Sequence, residues 1–118
     1  MIAAEHLKRI ASWSRDFNER EIEMARAGIV EKSFHANEHI CVRGDDFEYW
    51  TGGVSGLVRI GTVSRNGKAI TFTGLTAGAW FGEGSVLKHE PRRYDAVALR
   101  DTRLALMERA TFVWLLEN

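Results

Sequence analysis

The sequence predicts a mainly β domain, a β-sandwich or barrel with helices at both ends, and three observations carry that expectation. From Ile29 to Met107 the chain breaks into short runs rich in β-branched and aromatic residues, which suit a pleated, half-buried surface. Asn66-Gly67 sits between two such runs, Leu57 to Val63 and Ala69 to Thr73, and signals a hairpin because both central residues of a type I′ turn need positive φ. On either side of this region the apolar residues are spaced for helices. At 118 residues, 45% hydrophobic and 27% charged, the chain suits one compact core, too short for two ordinary domains and too apolar for a disordered chain.

Residues 1–28 are expected to be helical. Leu7, Ile10 and Ala11 recur at helical spacing, and five acids (Glu5, Asp16, Glu19, Glu21, Glu23) balance five bases (Lys8, Arg9, Arg15, Arg20, Arg26). A second helix opens at Asn18, which can cap it, with Glu21 closing a capping box and Phe17 placed to staple onto Ile22. Gly28 is expected to stop that helix, since glycine tolerates the left-handed conformation that ends many helices. Residues 29–107 form the β region, with turns expected at Arg43-Gly44-Asp45-Asp46, Thr51-Gly52-Gly53, Arg65-Asn66-Gly67-Lys68 and Thr76-Ala77-Gly78. Arg100-Asp101-Thr102 separates two further alternating runs, Ala96 to Leu99 and Leu104 to Met107. Residues 108–118 read as the start of a C-terminal helix. Phe112 to Leu116 is strongly apolar, without the polar face or stop signal of a finished helix, so the expectation is a chain cut inside that helix. Trp114, Leu115 and Leu116 would then offer an apolar patch to a partner helix, and self-association is expected.

Composition excludes several function classes. Sixteen Lys plus Arg against sixteen Asp plus Glu leave no net charge, and counterion release on a nucleic acid needs a basic excess. The lone Cys41 cannot form an internal disulfide or supply an iron–sulfur cluster. It lies two residues from His39, on the same strand face by alternation, but no third group orients the His, so a catalytic dyad is set aside. His6, His35, His39 and His89 lack metal-ligand spacing, and a cupin-like metal enzyme would need two or three histidines and a carboxylate on adjacent strands. Arg43-Gly44-Asp45 reads as a turn rather than an adhesion motif. The four tryptophans, Trp13, Trp50, Trp80 and Trp114, are too far apart in sequence to read as a base-stacking platform, and apart from the terminal Trp114 they read as core packing. No run approaches the roughly 20 apolar residues of a membrane span, and Met1 to His6 lacks a secretory pattern, so the expected location is cytoplasmic.

The chemistry concentrates in Trp80-Phe81-Gly82-Glu83-Gly84-Ser85-Val86-Leu87 followed by Pro91-Arg92-Arg93-Tyr94. A glycine-flanked turn into a short helix leaves backbone N–H groups free to face an anion, and Arg92 adds a fixed positive charge. A carboxylate accepts from O–H, so Glu83 with Arg92 suits a sugar phosphate.

These residues resemble the cyclic nucleotide-binding domain, in particular the sensor half of bacterial CRP/FNR-type transcription regulators. That family reads roughly Phe-Gly-Glu-x-Ser/Ala-x-Leu and then Pro-Arg-x-Ala; this chain supplies Phe81, Gly82, Glu83, Ser85, Leu87, Pro91 and Arg92 at the family spacing. The likeness extends upstream through Gly44-Asp45 and Gly56 and covers about residues 29–118. It implies a double-stranded jelly-roll β-barrel with no catalysis and no required cofactor, whose effector is a cyclic nucleotide, cAMP or cGMP. Glu83 would accept from the ribose 2′-hydroxyl, Arg92 would pair with the cyclic phosphate, and Gly82, Gly84 and Ser85 would shape the segment and offer backbone donors. It also implies a homodimer formed by the following helix and a DNA-reading domain beyond it, neither complete within these 118 residues.

After the phosphate Arg the family carries a small residue and then Ala, where this chain has Arg93 and Tyr94. By strand alternation Arg92 and Tyr94 share a face while Arg93 points away, so Tyr94 either stacks on a base or fills its place. In the second case Glu83 and Arg92 form a rim salt bridge, and the domain binds no nucleotide and serves as a protein-interaction or dimerisation module.

Overall fold

The computed structural model describes residues 2–44, 46, 48–63, 69–88, 91 and 94–117. The N-terminal layer comprises α1 (Ala4–Ile10), a 3-10 turn (Ser12–Ser14) and α2 (Glu19–Ala27). Eight strands follow among the described residues: β1 (Ile29–Phe34), β2 (His39–Cys41), β3 (Tyr49–Ser55), β4 (Val58–Val63), β5 (Ala69–Leu75), β6 (Trp80–Phe81), β7 (Asp95–Ala98) and β8 (Thr102–Glu108). Helix α3 (Glu83–Lys88) lies between β6 and β7, and α4 (Arg109–Glu117) comes after β8.

The strands form two four-stranded antiparallel sheets, ordered β1-β8-β3-β6 and β2-β7-β4-β5. This is the expected jelly-roll arrangement, made of two sheets that keep their edges rather than a closed ring. The β4–β5 pairing, from Val58 opposite Leu75 to Val63 opposite Ala69, is the predicted hairpin; Asn66-Gly67 at its tip lies outside the described residues.

Strand β8 organises the interior because both its faces are covered. Leu104 and Leu106 enter a core between the sheets with Phe34, Ile40, Cys41, Val58, Ile60, Phe81, Ala96 and Ala98. Ala105 and Met107, one residue out of phase, join Leu7, Ile10, Ala25, Ile29, Val86 and Phe112 on the helical side. Its near-continuous apolar run is therefore the signature of a strand buried on both faces, not of the half-exposed alternation expected.

Four local expectations meet the structure directly. The capping box is formed: the Glu21 amide donates to Asn18 Oδ1 and the Asn18 amide to Glu21 Oε1, both at 2.9 Å. Gly28 ends α2, but at φ −95° and not in the left-handed region. Glycine is required there because a Cβ would stand 1.9 Å from Thr111 Oγ1 of α4. Thr51-Gly52-Gly53 is not a turn but the middle of β3. Those glycines serve close approach, a Cβ on Gly52 meeting the Trp80 ring at 2.3 Å and one on Gly53 the Thr76 carbonyl at 2.4 Å, while the chain turns at Gly56, φ +98°. His39 and Cys41 do not share a face: a register shift falls between them, leaving His39 exposed and Cys41 buried, because an extra residue in a strand breaks the alternation of side chains beyond it.

Candidate functional site

Three of the four tryptophans pack together. The Trp13 and Trp50 ring centroids are 5.2 Å apart, Trp13 and Trp80 5.2 Å, and Trp50 and Trp80 4.6 Å, with Phe112 of α4 4.9 Å from Trp50. The cluster joins the N-terminal layer, β3, β6 and α4. Alternation along β6 then sends Phe81 to the other interior, where its ring lies 6.4 Å from that of Tyr94.

Directly after Phe81, Gly82 adopts φ +92°, a conformation that strains any residue with a Cβ. That turn lets a strand run into a helix with no intervening loop. The first α3 bond forms at once, the Val86 amide donating to the Gly82 carbonyl at 3.1 Å. Glu83 is the first residue of α3 and is exposed; Gly84 and Ser85 lie in the same first turn. Val86 points inward and is fully buried in the helical-side core. Tyr94 is half-buried against the inter-sheet core. Arg92 and Arg93 lie outside the described residues. The structure thus brings Gly82, Glu83, Gly84 and Ser85 together on one turn, with Tyr94 returning beside Phe81.

Two attachments were not foreseen from the sequence. Arg109 Nε, at the start of α4, donates to the Val86 carbonyl at 3.0 Å, tying α4 to α3. Its only sequence signal was a basic residue just after a strand. Asp95 Oδ1 accepts from the Arg43 amide at 2.7 Å, fastening the loop after β2 to the start of β7. No group of three or more His, Cys, Asp or Glu that could hold a metal occurs among the described residues. No helix among them is long and apolar enough to cross a membrane.

Two antiparallel four-stranded sheets, with a Gly-Glu turn and a short helix between β6 and β7, make the architecture a double-stranded jelly roll with flanking helices. The chain belongs to the cyclic nucleotide-binding domain family, whose model matches residues 31–118. Comparison with curated protein sequences gives no match. Among solved structures, the chain is similar to the Thermus thermophilus catabolite activator protein, with 26% identity and a TM-score of 0.79, covering 89% of this chain and 49% of that one. It is similar in fold to the regulatory domain of Toxoplasma gondii PKA, solved with cAMP, with 23% identity, a TM-score of 0.83, and 95% and 44% coverage. It is also similar in fold to the regulatory subunit of a cAMP-independent protein kinase A from Trypanosoma brucei, with 18% identity, a TM-score of 0.84, and 96% and 41% coverage. The chain thus spans about half the length of the Thermus protein, and less of the other two.

Proposed function

We propose that this chain is the effector-sensing domain of a CRP/FNR-type transcription regulator and takes a cyclic nucleotide, cAMP or cGMP, on residues 82–94. The observation that carries the proposal is the family match over residues 31–118, which spans every residue assigned to the site. Glu83 accepts from the ribose 2′-hydroxyl, and its exposure at the start of α3 leaves the carboxylate open to a ligand. Arg92 pairs with the cyclic phosphate; Gly82, Gly84 and Ser85 shape the turn and supply backbone donors; Arg93 and Tyr94 border the base. The likeness to the Thermus catabolite activator protein favours the bacterial regulator within the wider family. The domain acts as a cytoplasmic homodimer and a sensor rather than an enzyme, passing its state to a DNA-reading part outside this chain. The mechanism is a population shift, in which the nucleotide stabilises the arrangement of α3 and α4 that it fits better.

A second reading has its own observation. Tyr94 packs against Phe81 and the inter-sheet core, as it would if it filled the place of a base, and the domain would then be an interaction or dimerisation module that binds no nucleotide. Calorimetric titration with cyclic AMP and cyclic GMP separates the two. Saturable binding that weakens about 10- to 100-fold in Arg92→Ala, the worth of a charged hydrogen bond, supports the sensor; no heat with either ligand supports the second reading.

A further inference from the structure

We propose that Trp80 is a positioning residue for the nucleotide segment, fixing where β6 delivers Gly82 and Glu83 by hooking its indole onto the end of α1. The inference rests on the reading of residues 82–94 as the nucleotide site and names a control on it, the seat of the N-terminal helix.

Strand β6 is two residues long and lies at the edge of its sheet, paired only through Thr51 opposite Phe81 and Gly52 opposite Trp80. Just before it the Gly53 amide donates to the Ala79 carbonyl at 2.9 Å and the Gly78 amide to the Gly53 carbonyl at 3.0 Å, and with so short a ladder side chains add to these few backbone bonds in locating the strand. Trp80 does this in two ways. Its ring occupies the space over Gly52, which only a residue without Cβ leaves open, and packs against Trp13 and Trp50. Its Nε1 donates to the Ile10 carbonyl at 2.8 Å, in the last turn of α1, where a helix leaves its carbonyls without intrahelical partners.

The contrast inside the cluster marks this bond out. Trp13 and Trp50 bury their Nε1 atoms with no hydrogen-bond partner among the described residues, so the indole whose donor is satisfied is the one on the strand leading to the site. Only Phe81 stands between Trp80 and the positive-φ turn at Gly82. A shift of α1 therefore reaches Glu83 through one side chain and two residues of backbone. By linkage, seating the nucleotide must equally favour the seated α1.

The test compares, in the full chain, Trp80→Phe, which removes the indole donor together with part of the ring, with Trp50→Phe, which removes the same atoms but a donor that has no partner among the described residues; the changes expected of Trp80→Phe are those beyond the Trp50→Phe control. In nucleotide-free protein, amide exchange at Val86 should rise about 3- to 10-fold, the worth of one net hydrogen bond, while the β1–β8 ladder keeps its protection. Cyclic AMP affinity should fall by a similar factor with stoichiometry unchanged. Val86 exchange in the folded variant no faster than in the Trp50→Phe control would overturn the inference. Absence of cyclic AMP binding to the unsubstituted protein would instead overturn the nucleotide reading on which it rests, and the two results come from separate samples. Should Trp80→Phe not fold, the unsubstituted protein decides: the Trp80 indole N–H and the Val86 amide should lose protection together as denaturant is raised, and independent loss would overturn the link.

Discussion

The two interiors that share strand β8 are built from different materials. Between the sheets the packing is mostly aliphatic and small, with Ala96, Ala98, Val58, Ile60, Leu104 and Leu106 around the rings of Phe34 and Phe81, the latter with Tyr94 at its edge. On the helical side the centre is aromatic, with Trp13, Trp50 and Trp80 in mutual contact and Phe112 against Trp50. The first interior joins strands to strands. The second joins elements far apart in sequence, α1, β3, β6 and α4, and so connects the N-terminal layer to the turn at Gly82 and to the C-terminal helix. Large rigid rings suit that task because each touches several elements at a low cost in side-chain entropy.

Truncating one residue on each face of β8 challenges the contrast most severely. Leu104→Ala and Met107→Ala both empty fully buried sites, and each should cost about 2–5 kcal/mol in chemical denaturation. Only Met107→Ala should shift the tryptophan emission of the folded protein, since Met107 lies in the helical-side core. Equal shifts from both would mean that the interiors are not separate.

Gly28→Ala tests how α4 is seated. With a Cβ placed 1.9 Å from Thr111 Oγ1, overpacking should cost about 1–3 kcal/mol. Adding Thr111→Ala should recover part of that loss, a non-additivity read from a double-mutant cycle. Strict additivity would return Gly28 to an ordinary helix stop.

Gly82→Ala should cost about 1–2 kcal/mol, the strain of a Cβ at positive φ, measured by thermal denaturation. Asn18→Ala should have the smallest effect, about 1 kcal/mol for a lost N-cap, and it lies outside both interiors, so tryptophan emission should not move.

Much of the fold was legible in the sequence because its signals are local. The Asn18 to Glu21 capping box, the hairpin pairing of β4 with β5, and the Gly82-Glu83 turn into a short helix each depend on residues a few positions apart. What was not legible depends on partners distant in sequence. Nothing near Gly28 announces Thr111, 83 residues on in the chain. Gly52 and Gly53 look like a turn until Trp80 and Thr76 are brought against them. Alternation placed His39 and Cys41 on one face, and a bulge set by pairing with β7 separates them. At the site, family spacing located the Gly82 to Ser85 turn, whereas the fastening of α3 to α4 by Arg109 carries no local pattern.

Whether residues 82–94 take a cyclic nucleotide is decided by mapping backbone amide shifts as cyclic AMP is added to the isotope-labelled chain. The largest saturable changes should fall on Gly82, Glu83, Gly84, Ser85 and residues 92–94, with smaller ones at Phe81 and Arg109. A spectrum that does not change, or one whose changes lie elsewhere on the surface, would contradict the assignment.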